Sequence, residues 1–539
     1  MRTKHAVAIT ILCVANAASA LAQSVPPPPP PEQTNPNAPA LKVTSRVVQV
    51  NVIVRDKEGQ PVTGLTKNDF TVLDNGQRQT ISSMSEQSNK VTTTMVSASA
   101  KNTFSNRIEE RLGIAPSVSV ILIDSLNMVD ARGQVSRNNM VIARGQVVKF
   151  LGQLQPQDRV ALYFLSNKIY ILQDFTADAA ALLRAMDVIP HLDQDQGNAT
   201  IALDFAPFAP HSGMIDPMWA SRGIGRAYEV DMTNRVEQTA AALKVIANHL
   251  VGVPGRKNLI WISGSFPFYI VTEIGILSYE PQIIAVSQAL SNANVAIFPI
   301  DARGLMVAKP DPQTYNTMTS LADRTGGRAL YNTNDIAGSI RHAVDDSRVS
   351  YVLSYYPNHN QWDGRYREIS VKVNHPGVGV IARRGYFALP DAVDSPKNKE
   401  QIMVDAAKNP IESAALGMDV QADSLPTPDA RQIKTQIKLD LTQLQLAKTG
   451  DHWTDTIDVK WVQLAADGHV LASTSQTLNL NIPQSDYESV LRNGLTFSGD
   501  VNLIQNAADV RIVARDSGNG SVGTVNISVD RLFPPTTVK

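Results

Sequence analysis

The chain has 539 residues, of which 43% are apolar and 18% are charged. Domains of roughly 150 residues would divide this length into about three to four units. Its 49 basic and 50 acidic side chains give a net charge of −1, which excludes the strongly basic composition typical of nucleic-acid-binding proteins. A single cysteine excludes an internal disulfide framework and a multi-thiolate metal site.

The first 22 residues have the pattern of a signal peptide. Arg2 and Lys4 precede an apolar stretch over 6–15, which is too short to span a bilayer. Small residues over 18–22 suit cleavage, although a buried N-terminal helix remains an alternative. We therefore expect an exported protein, periplasmic or extracellular, with no membrane span after cleavage.

Two segments of contrasting character follow the signal peptide. Residues 23–40 contain six consecutive prolines at 26–31, which predicts an extended linker. Within 41–100, valines at every second position from Val48 to Val54 indicate a strand, and the sequence DNG at 74–76 indicates a hairpin turn. Residues 41–100 are thus predicted to be a small β domain.

Residues 115–356 alternate between buried-strand and helical patterns. The predicted strands are 118–123, 159–165, 169–173, 259–262, 295–300 and 351–355, and the predicted helices are 141–154, 179–186, 236–251, 281–290, 315–324 and 335–346. This alternation predicts an α/β domain with a doubly wound, mostly parallel sheet covered by helices on both faces.

A long segment, 190–234, interrupts the alternation. It is rich in Pro, Gly, Met and Asp and includes Trp219. A loop of this length is either a functional surface or a plain insertion, and both interpretations stay open. We take Trp219 and Phe268 as candidate binding anchors, because large aromatic side chains dominate binding energies.

The last third of the chain returns to β patterns. Residues 357–390 predict a β-hairpin extension, 391–430 a mixed connector, and 431–539 a sandwich-like β domain. The predicted strands of this last domain are 437–441, 456–463, 470–480, 510–515 and 524–529.

Several stretches of the chain resemble the von Willebrand factor A-related domain proteins common in acidobacterial genomes. They are 50–56 (VNVIVRD), 62–70 (VTGLTKNDF), 254–264 (PGRKNLIWISG), 301–305 (DARGL), 325–327 (TGG), 382–387 (ARRGYF) and 486–497. The resemblance covers most of 41–530. It implies a von Willebrand A-like α/β domain flanked by β-rich domains, in an exported binding module.

The von Willebrand A fold often carries a metal-ion-dependent adhesion site, whose first loop reads D-x-S-x-S. Here Asp124 matches the first position, but Leu126 and Met128 replace the hydroxyl residues and offer no oxygen to Mg²⁺. The later aspartate of the motif is also missing at 262–265. The resemblance therefore implies a degenerate site.

Polar residues still follow two of the predicted strands. Asp124, Asn127 and Asp301 are candidate ligands of a remodelled cation site at the C-terminal edge of the sheet, and either Thr233 or Thr239 is a candidate for the missing threonine. The alternative is local: Asp124 and Asn127 cap the following loop, and Asp301 pairs with Arg303. We expect no cofactor, with Mg²⁺ as the alternative.

Catalytic patterns are weak throughout the sequence. The nine histidines show no H-E-x-x-H spacing, and there is neither a G-x-S-x-G elbow nor a Walker A loop. His249 is interpreted as a packed helical residue, and Asp345 and Asp346 as a solvated acidic pair. We therefore predict no catalytic residues and a non-enzymatic binding protein with a protein or cell-envelope partner. The alternatives are divalent-cation-dependent adhesion and hydrolysis of an envelope polymer.

Overall fold

A computed structural model describes residues 47–534, except 89–101, 108–116, 129–135, 190–216, 254–255, 265, 273–274, 305–311, 347, 360, 389–395, 410, 427–430 and 445. The predicted signal peptide and the proline-rich linker lie outside the described residues. All the described residues belong to one compact unit, Arg46–Lys539.

Strands and helices are labelled here in chain order. The strands are β1 (Val48–Arg55), β2 (Phe70–Asp74), β3 (Gln77–Gln79), β4 (Ile81–Ser88), β5 (Thr103–Ser105), β6 (Ser117–Asp124), β7 (Val160–Leu165), β8 (Ile169–Thr176), β9 (Arg256–Ser263), β10 (Tyr269–Thr272), β11 (Gly275–Ser278), β12 (Val295–Asp301), β13 (Val349–Tyr355), β14 (Tyr366–Val373), β15 (Gly379–Ala382), β16 (Gly385–Phe387), β17 (Met418–Pro426), β18 (Arg431–Leu439), β19 (Ala447–Thr449), β20 (His452–Leu464), β21 (Val470–Pro483), β22 (Leu495–Asn502), β23 (Asp509–Asp516) and β24 (Val522–Ser528). The helices are α1 (Arg137–Leu151), α2 (Ala179–Met186), α3 (Pro217–Leu250), α4 (Glu280–Asn292), α5 (Pro312–Thr325), α6 (Ile336–Asp345), α7 (Pro396–Lys408), α8 (Tyr487–Asn493) and α9 (Val529–Leu532), with short 3-10 turns at Lys67–Asp69 and Leu441–Gln443.

The central sheet of the α/β domain has the order β12-β9-β6-β7-β8. Three neighbouring pairs, β12–β9, β9–β6 and β6–β7, are parallel, and β8 joins β7 antiparallel at one edge. The other described sheets are antiparallel. The protein is thus of the mixed α/β type, and among the described strands parallel pairing is confined to this one sheet.

Strand β6 shows why this sheet is buried on both faces. Val120 and Leu122 pack with α3 and α4 on one side, whereas Ile121 and Ile123 pack with α1, α2 and α6 on the other. Successive side chains of a strand point to opposite faces, so a continuous apolar run requires apolar cover on both.

The segment predicted as the last strand of the α/β domain lies elsewhere. β13 pairs antiparallel with β1 and β4, and its Tyr351, Leu353 and Tyr355 enter the core of a β-sandwich. That sandwich, called here the N-terminal sandwich, consists of the sheets β15-β1-β13-β4 and β16-β14-β2-β3. Assigning 351–355 to the α/β sheet was wrong, because a buried strand pattern does not identify the partner strand.

The predicted loop over 190–234 is also partly helical. Helix α3 begins at Pro217, well before the predicted start at 236. Proline is favourable in the first helical turn, whereas Gly223 and Gly225 lower the local helix propensity and hide the helix in the sequence. Residues 190–216 lie outside the described residues.

The C-terminal strands form two sheets that share one apolar core. The sheets have the orders β22-β18-β17-β5 and β19-β20-β23-β24, with β21 also paired to β20. Strand β5 comes from the segment before the α/β domain, and β17 from the predicted connector. The sheets therefore extend beyond residues 431–539.

Candidate functional site

The C-terminal ends of β6 and β9 lie side by side in the α/β sheet. The chain passes from β6 to β7 on one side and returns through α3 to β9 on the other side. In open α/β sheets such a reversal of direction opens the crevice in which ligands bind. The residues directly after these two strands are therefore candidates for a ligand-binding site.

The Asp124 carboxylate fills this position. Its side chain is 0% exposed. Its Oδ2 accepts hydrogen bonds from Asn127 Nδ2 at 2.8 Å, Trp261 Nε1 at 2.9 Å and Ser263 Oγ at 3.0 Å, and its Oδ1 accepts one from the Asn127 backbone N–H at 3.3 Å. Three of the four bonds thus converge on Oδ2, whereas Oδ1 accepts only the long bond from the Asn127 backbone.

Asn127 extends the network to helix α3. Its Nδ2 also donates to Thr239 Oγ1 at 2.8 Å, and its backbone carbonyl accepts from Gly264 N–H at 3.1 Å. The side chains of Asn127 and Thr239 are buried. Of the two candidate threonines, Thr239 is the one in this network, whereas Thr233 Oγ1 lies 3.0 Å from the Tyr279 hydroxyl.

Burial and hydrogen bonding act in opposite directions on Asp124. Burial raises the pKa of its carboxyl, and the bonds from Asn127, Trp261 and Ser263 lower it; the net pKa is above the usual value. The donors oppose the cost of keeping a charge away from water. The arrangement therefore holds the loop after β6 against β9 and α3.

The residues around Asp124 do not fit a Mg²⁺ site. Leu126 is partly buried against the core and Met128 is fully buried, so neither position offers an oxygen ligand. Magnesium requires near-octahedral oxygen coordination, but the Asp124 oxygens already accept hydrogen bonds. Within the part of the chain that is described, no group of three His, Cys, Asp or Glu side chains could hold a metal ion.

Asp301 lies at the end of β12, separated from Asp124 by strand β9. It is buried, and both of its oxygens pair with the Arg303 guanidinium, at 2.9 and 2.8 Å. The local pairing with Arg303 that the sequence offered as an alternative is the contact present, and Asp301 does not join Asp124 and Asn127 in one network.

The residues weighed for catalysis have structural partners. His249 is buried, and its Nδ1 contacts the Glu412 carbonyl across to the C-terminal region. Asp345 lies 2.7 Å from Arg341 and 2.9 Å from Arg348. Asp346 pairs with Arg55 of the N-terminal sandwich and is buried, so its interpretation as a solvated residue was wrong.

The two proposed aromatic anchors lie in different parts of the α/β domain. Trp219 belongs to α3, but its side chain lies outside the described part of the structure. Phe268 is half-buried against the core on the α3 side of the sheet. It precedes the hairpin of β10 and β11, in which Ile276 is 70% exposed. No sequence pattern singles out Ile276, because its strand is only four residues long.

The contributions of Trp261 and Ser263 were also missed. Both lie in β9 and are fully buried. Ser263 lies within 262–265, where the later aspartate of the adhesion-site motif is missing. The available signal was a tryptophan in an otherwise aliphatic strand, because a buried indole N–H requires an acceptor.

None of the described helices combines the length and apolar composition needed to cross a membrane.

No family model and no curated protein sequence matches this chain. Among solved structures, it is similar to an aerotolerance-related membrane protein from Bacteroides fragilis, at 12% identity and a TM-score of 0.24, covering 42% of this chain and 98% of that one. The von Willebrand factor domain of the type V pili tip protein Mfa5 from Porphyromonas gingivalis gives 13% identity and a TM-score of 0.25, over 43% and 94% of the two chains. The PilB minor pilin from Streptococcus sanguinis gives 10% identity and a TM-score of 0.24, over 44% and 62%. TM-scores of this size do not establish a common fold, and the architecture rests on the strand order itself.

Proposed function

We propose that this chain is an exported, non-enzymatic binding protein with a von Willebrand A-like α/β domain of the acidobacterial type. The observation that carries the proposal is the buried Asp124 carboxyl group with its four internal hydrogen bonds. At the position where an open α/β sheet usually binds a ligand, the polar side chains bond to one another and are buried. The hydrogen-bond network around Asp124 thus supports the surrounding loops. A partner would therefore bind to the protein surface next to this network.

The surface element that best suits partner binding is the β10–β11 hairpin. It follows β9, and its Tyr269–Ser278 and Thr272–Gly275 pairs close a two-stranded ribbon. Phe266 and Ile270 anchor the hairpin in the core, while Ile276 remains exposed. An exposed apolar side chain on a hairpin that is fixed to the core can be buried against a partner, which removes apolar surface from water.

The experiment compares capture of envelope components by the full exported chain, by Ile276→Asp and by Val141→Asp. Val141 is an equally exposed aliphatic residue on α1, outside the hairpin. Mass spectrometry of cross-linked material should find a component enriched by the wild type and by Val141→Asp, but reduced about tenfold with Ile276→Asp. Equal recovery with all three proteins would contradict the role of the hairpin.

Export and absence of catalysis need separate measurements. N-terminal sequencing of protein from the envelope or the medium should find a mature chain that begins near residue 23, as the small residues at 20–22 predict. The captured component should have the same mass before and after incubation with the protein. A protein that retains residues 1–22 in the cytoplasm, or a partner that is cleaved, would contradict the proposal.

A further inference from the structure

An open groove separates helix α5 from the N-terminal sandwich. Its volume is about 580 Å³, within the range of small-molecule sites, and junctions between domains are common places for such sites. The groove lies at the β12 side of the α/β sheet and contains neither Asp124 nor Ile276. It is therefore distinct from the hairpin surface.

The helix contributes one polar face to this groove. Four of the six groove-lining residues of α5 follow i, i+3, i+4 and i+7 spacing, which places them on one side of a helix: they are Asn316, Thr319, Ser320 and Asp323. The other side of α5, including Met318, Leu321 and Ala322, is buried. An amide, two hydroxyls and a carboxylate thus line one wall.

Tyrosine rings border the groove near β12. Tyr315 and Tyr331 have ring centroids 4.2 Å apart and ring planes tilted by 33°, and Tyr331 is 44% exposed. The Leu330 backbone bonds to Pro299 O at 2.8 Å and to Asp301 N at 2.9 Å. Because these bonds continue the β12 sheet edge, Tyr331 is held in place at the groove.

The opposite wall comes from the sandwich. Tyr366 is 37% exposed and packs edge-on against Phe387 at 5.1 Å, while the Arg324 guanidinium lies over its ring at 5.7 Å. Arg384 reaches across to Asp323 at 3.1 Å. Two guanidinium groups and one carboxylate give this groove a small positive charge, much of it paired.

Two buried polar atoms at the groove lack hydrogen-bond partners among the described residues. They are the Tyr315 hydroxyl oxygen and Arg324 Nη1. Buried polar groups usually find a partner, and each exception calls for an explanation. Both side chains line the groove, so a ligand or water there would satisfy these atoms only if a small side-chain movement exposed them.

We propose that this groove binds a neutral saccharide chain. A pyranose ring has an apolar face of C–H groups, which suits the exposed parts of the Tyr331 and Tyr366 rings. Its equatorial hydroxyls suit Asn316, Asp323 and Arg384. The groove offers no deep apolar pocket of the kind that anchors a peptide side chain. Pairing of Arg384 with Asp323 disfavours a strongly anionic ligand.

The test is titration of the full exported chain with three linear hexasaccharides, built from β-1,4-linked glucose, N-acetylglucosamine and xylose. At least one should bind with a Kd below about 1 mM. Tyr331→Ala should weaken that binding about tenfold or more, whereas Tyr331→Phe, which keeps the ring, should stay within about threefold. Tyr356→Ala is the matched control, because Tyr356 is 51% exposed and does not line the groove.

Thermal denaturation of each variant checks that the fold is retained, and a peptide array is titrated in parallel. Absence of binding by all three hexasaccharides, equal binding by Tyr331→Ala, or binding of peptides alone would overturn the proposal. None of these outcomes bears on the hairpin, because Ile276 lies outside the groove.

Discussion

Among single residues, Asp124 shows how a buried carboxyl group can serve structure. Its carboxylate accepts four hydrogen bonds from Asn127, Trp261 and Ser263. Removal of an acceptor would leave buried donors unsatisfied, which costs more than the bonds themselves contribute. The side chain that most resembles a metal ligand in the sequence is therefore expected to contribute chiefly to stability.

The substitution Asp124→Asn tests this role. In the variant an NH2 group replaces one of the two acceptor oxygens and faces a hydrogen-bond donor. The free energy of unfolding should therefore fall by about 1–3 kcal/mol. Urea denaturation measures the change. Asp187→Asn is the control, because that carboxylate is 76% exposed and its loss should change stability by less than about 1 kcal/mol. A Tm that rises with millimolar Mg²⁺ in the wild type alone would instead indicate a metal site.

Lys257 is the second informative residue. It is buried at the start of β9, and its Nζ donates to the Val253 carbonyl at 2.7 Å. Burial lowers the pKa of this ammonium to about 7, whereas an exposed lysine titrates near 10.4. At a pH between these two pKa values, Lys257 is protonated in the unfolded chain but largely neutral in the folded protein. The free energy of unfolding therefore rises with pH over this range.

Lys257→Met should remove that dependence. The variant should have a larger free energy of unfolding than the wild type at pH 6. This difference in free energy should decrease by about 4 kcal/mol between pH 6 and pH 10. Urea titrations at four pH values measure it. Lys434→Met, at an exposed position of β18, should show no such trend. A difference between Lys257→Met and wild type that stays constant with pH would contradict the lowered pKa.

At the scale of elements, the turn after α5 determines how the segment that leads to Tyr331 packs against β12. Gly326 has a φ of +78°, a left-handed conformation that favours glycine. Its carbonyl accepts from the buried Arg256 Nη2 at 2.7 Å. Gly327 packs so closely on β12 that an added Cβ would overlap the Ile297 carbonyl oxygen. This contact brings the segment that leads to Tyr331 alongside the sheet.

Gly327→Ala should accordingly destabilise the protein by at least about 2 kcal/mol, since backbone would have to move. The matched control is Gly145→Ala, at an exposed position of α1 with no atom near the added Cβ. There the exchange should stabilise by about 0.5–1 kcal/mol. Chemical denaturation distinguishes the two, and a neutral Gly327→Ala would disprove the close packing.

At the scale of the whole molecule, the segments around the α/β domain depend on one another. Strand β13 follows α6 in sequence but completes the N-terminal sandwich between β1 and β4. The Arg55–Asp346 ion pair joins the same two regions, and His249 contacts the Glu412 carbonyl of the C-terminal region. The α/β domain is thus inserted between strands of a sandwich.

This insertion predicts how fragments behave. A fragment 115–356 keeps β13 without its two partner strands, which leaves edges unpaired and apolar side chains exposed, and should aggregate. A fragment 115–346 omits that strand and should remain monomeric by size-exclusion chromatography. Monomeric behaviour and equal melting temperatures for both fragments would contradict the placement of β13.

The sequence by itself determined features that depend on local pattern. The continuous apolar runs at 118–123 and 295–300 predict buried strands, and β6 and β12 lie there with three parallel pairings in the sheet. The local pairing of Asp301 with Arg303 was also open to sequence reasoning, since the two residues are only two positions apart.

Only the tertiary structure decided which distant segments meet. Asp124 bonds to residues more than 100 positions away, and β13 pairs with residues about 260 to 310 positions earlier. Hydrophobic periodicity records which side of an element is buried but not what covers it. Partner choice depends on packing and hydrogen bonds across the whole fold, so only the tertiary structure shows the buried, hydrogen-bonded Asp124 carboxyl group and the tyrosine-lined groove.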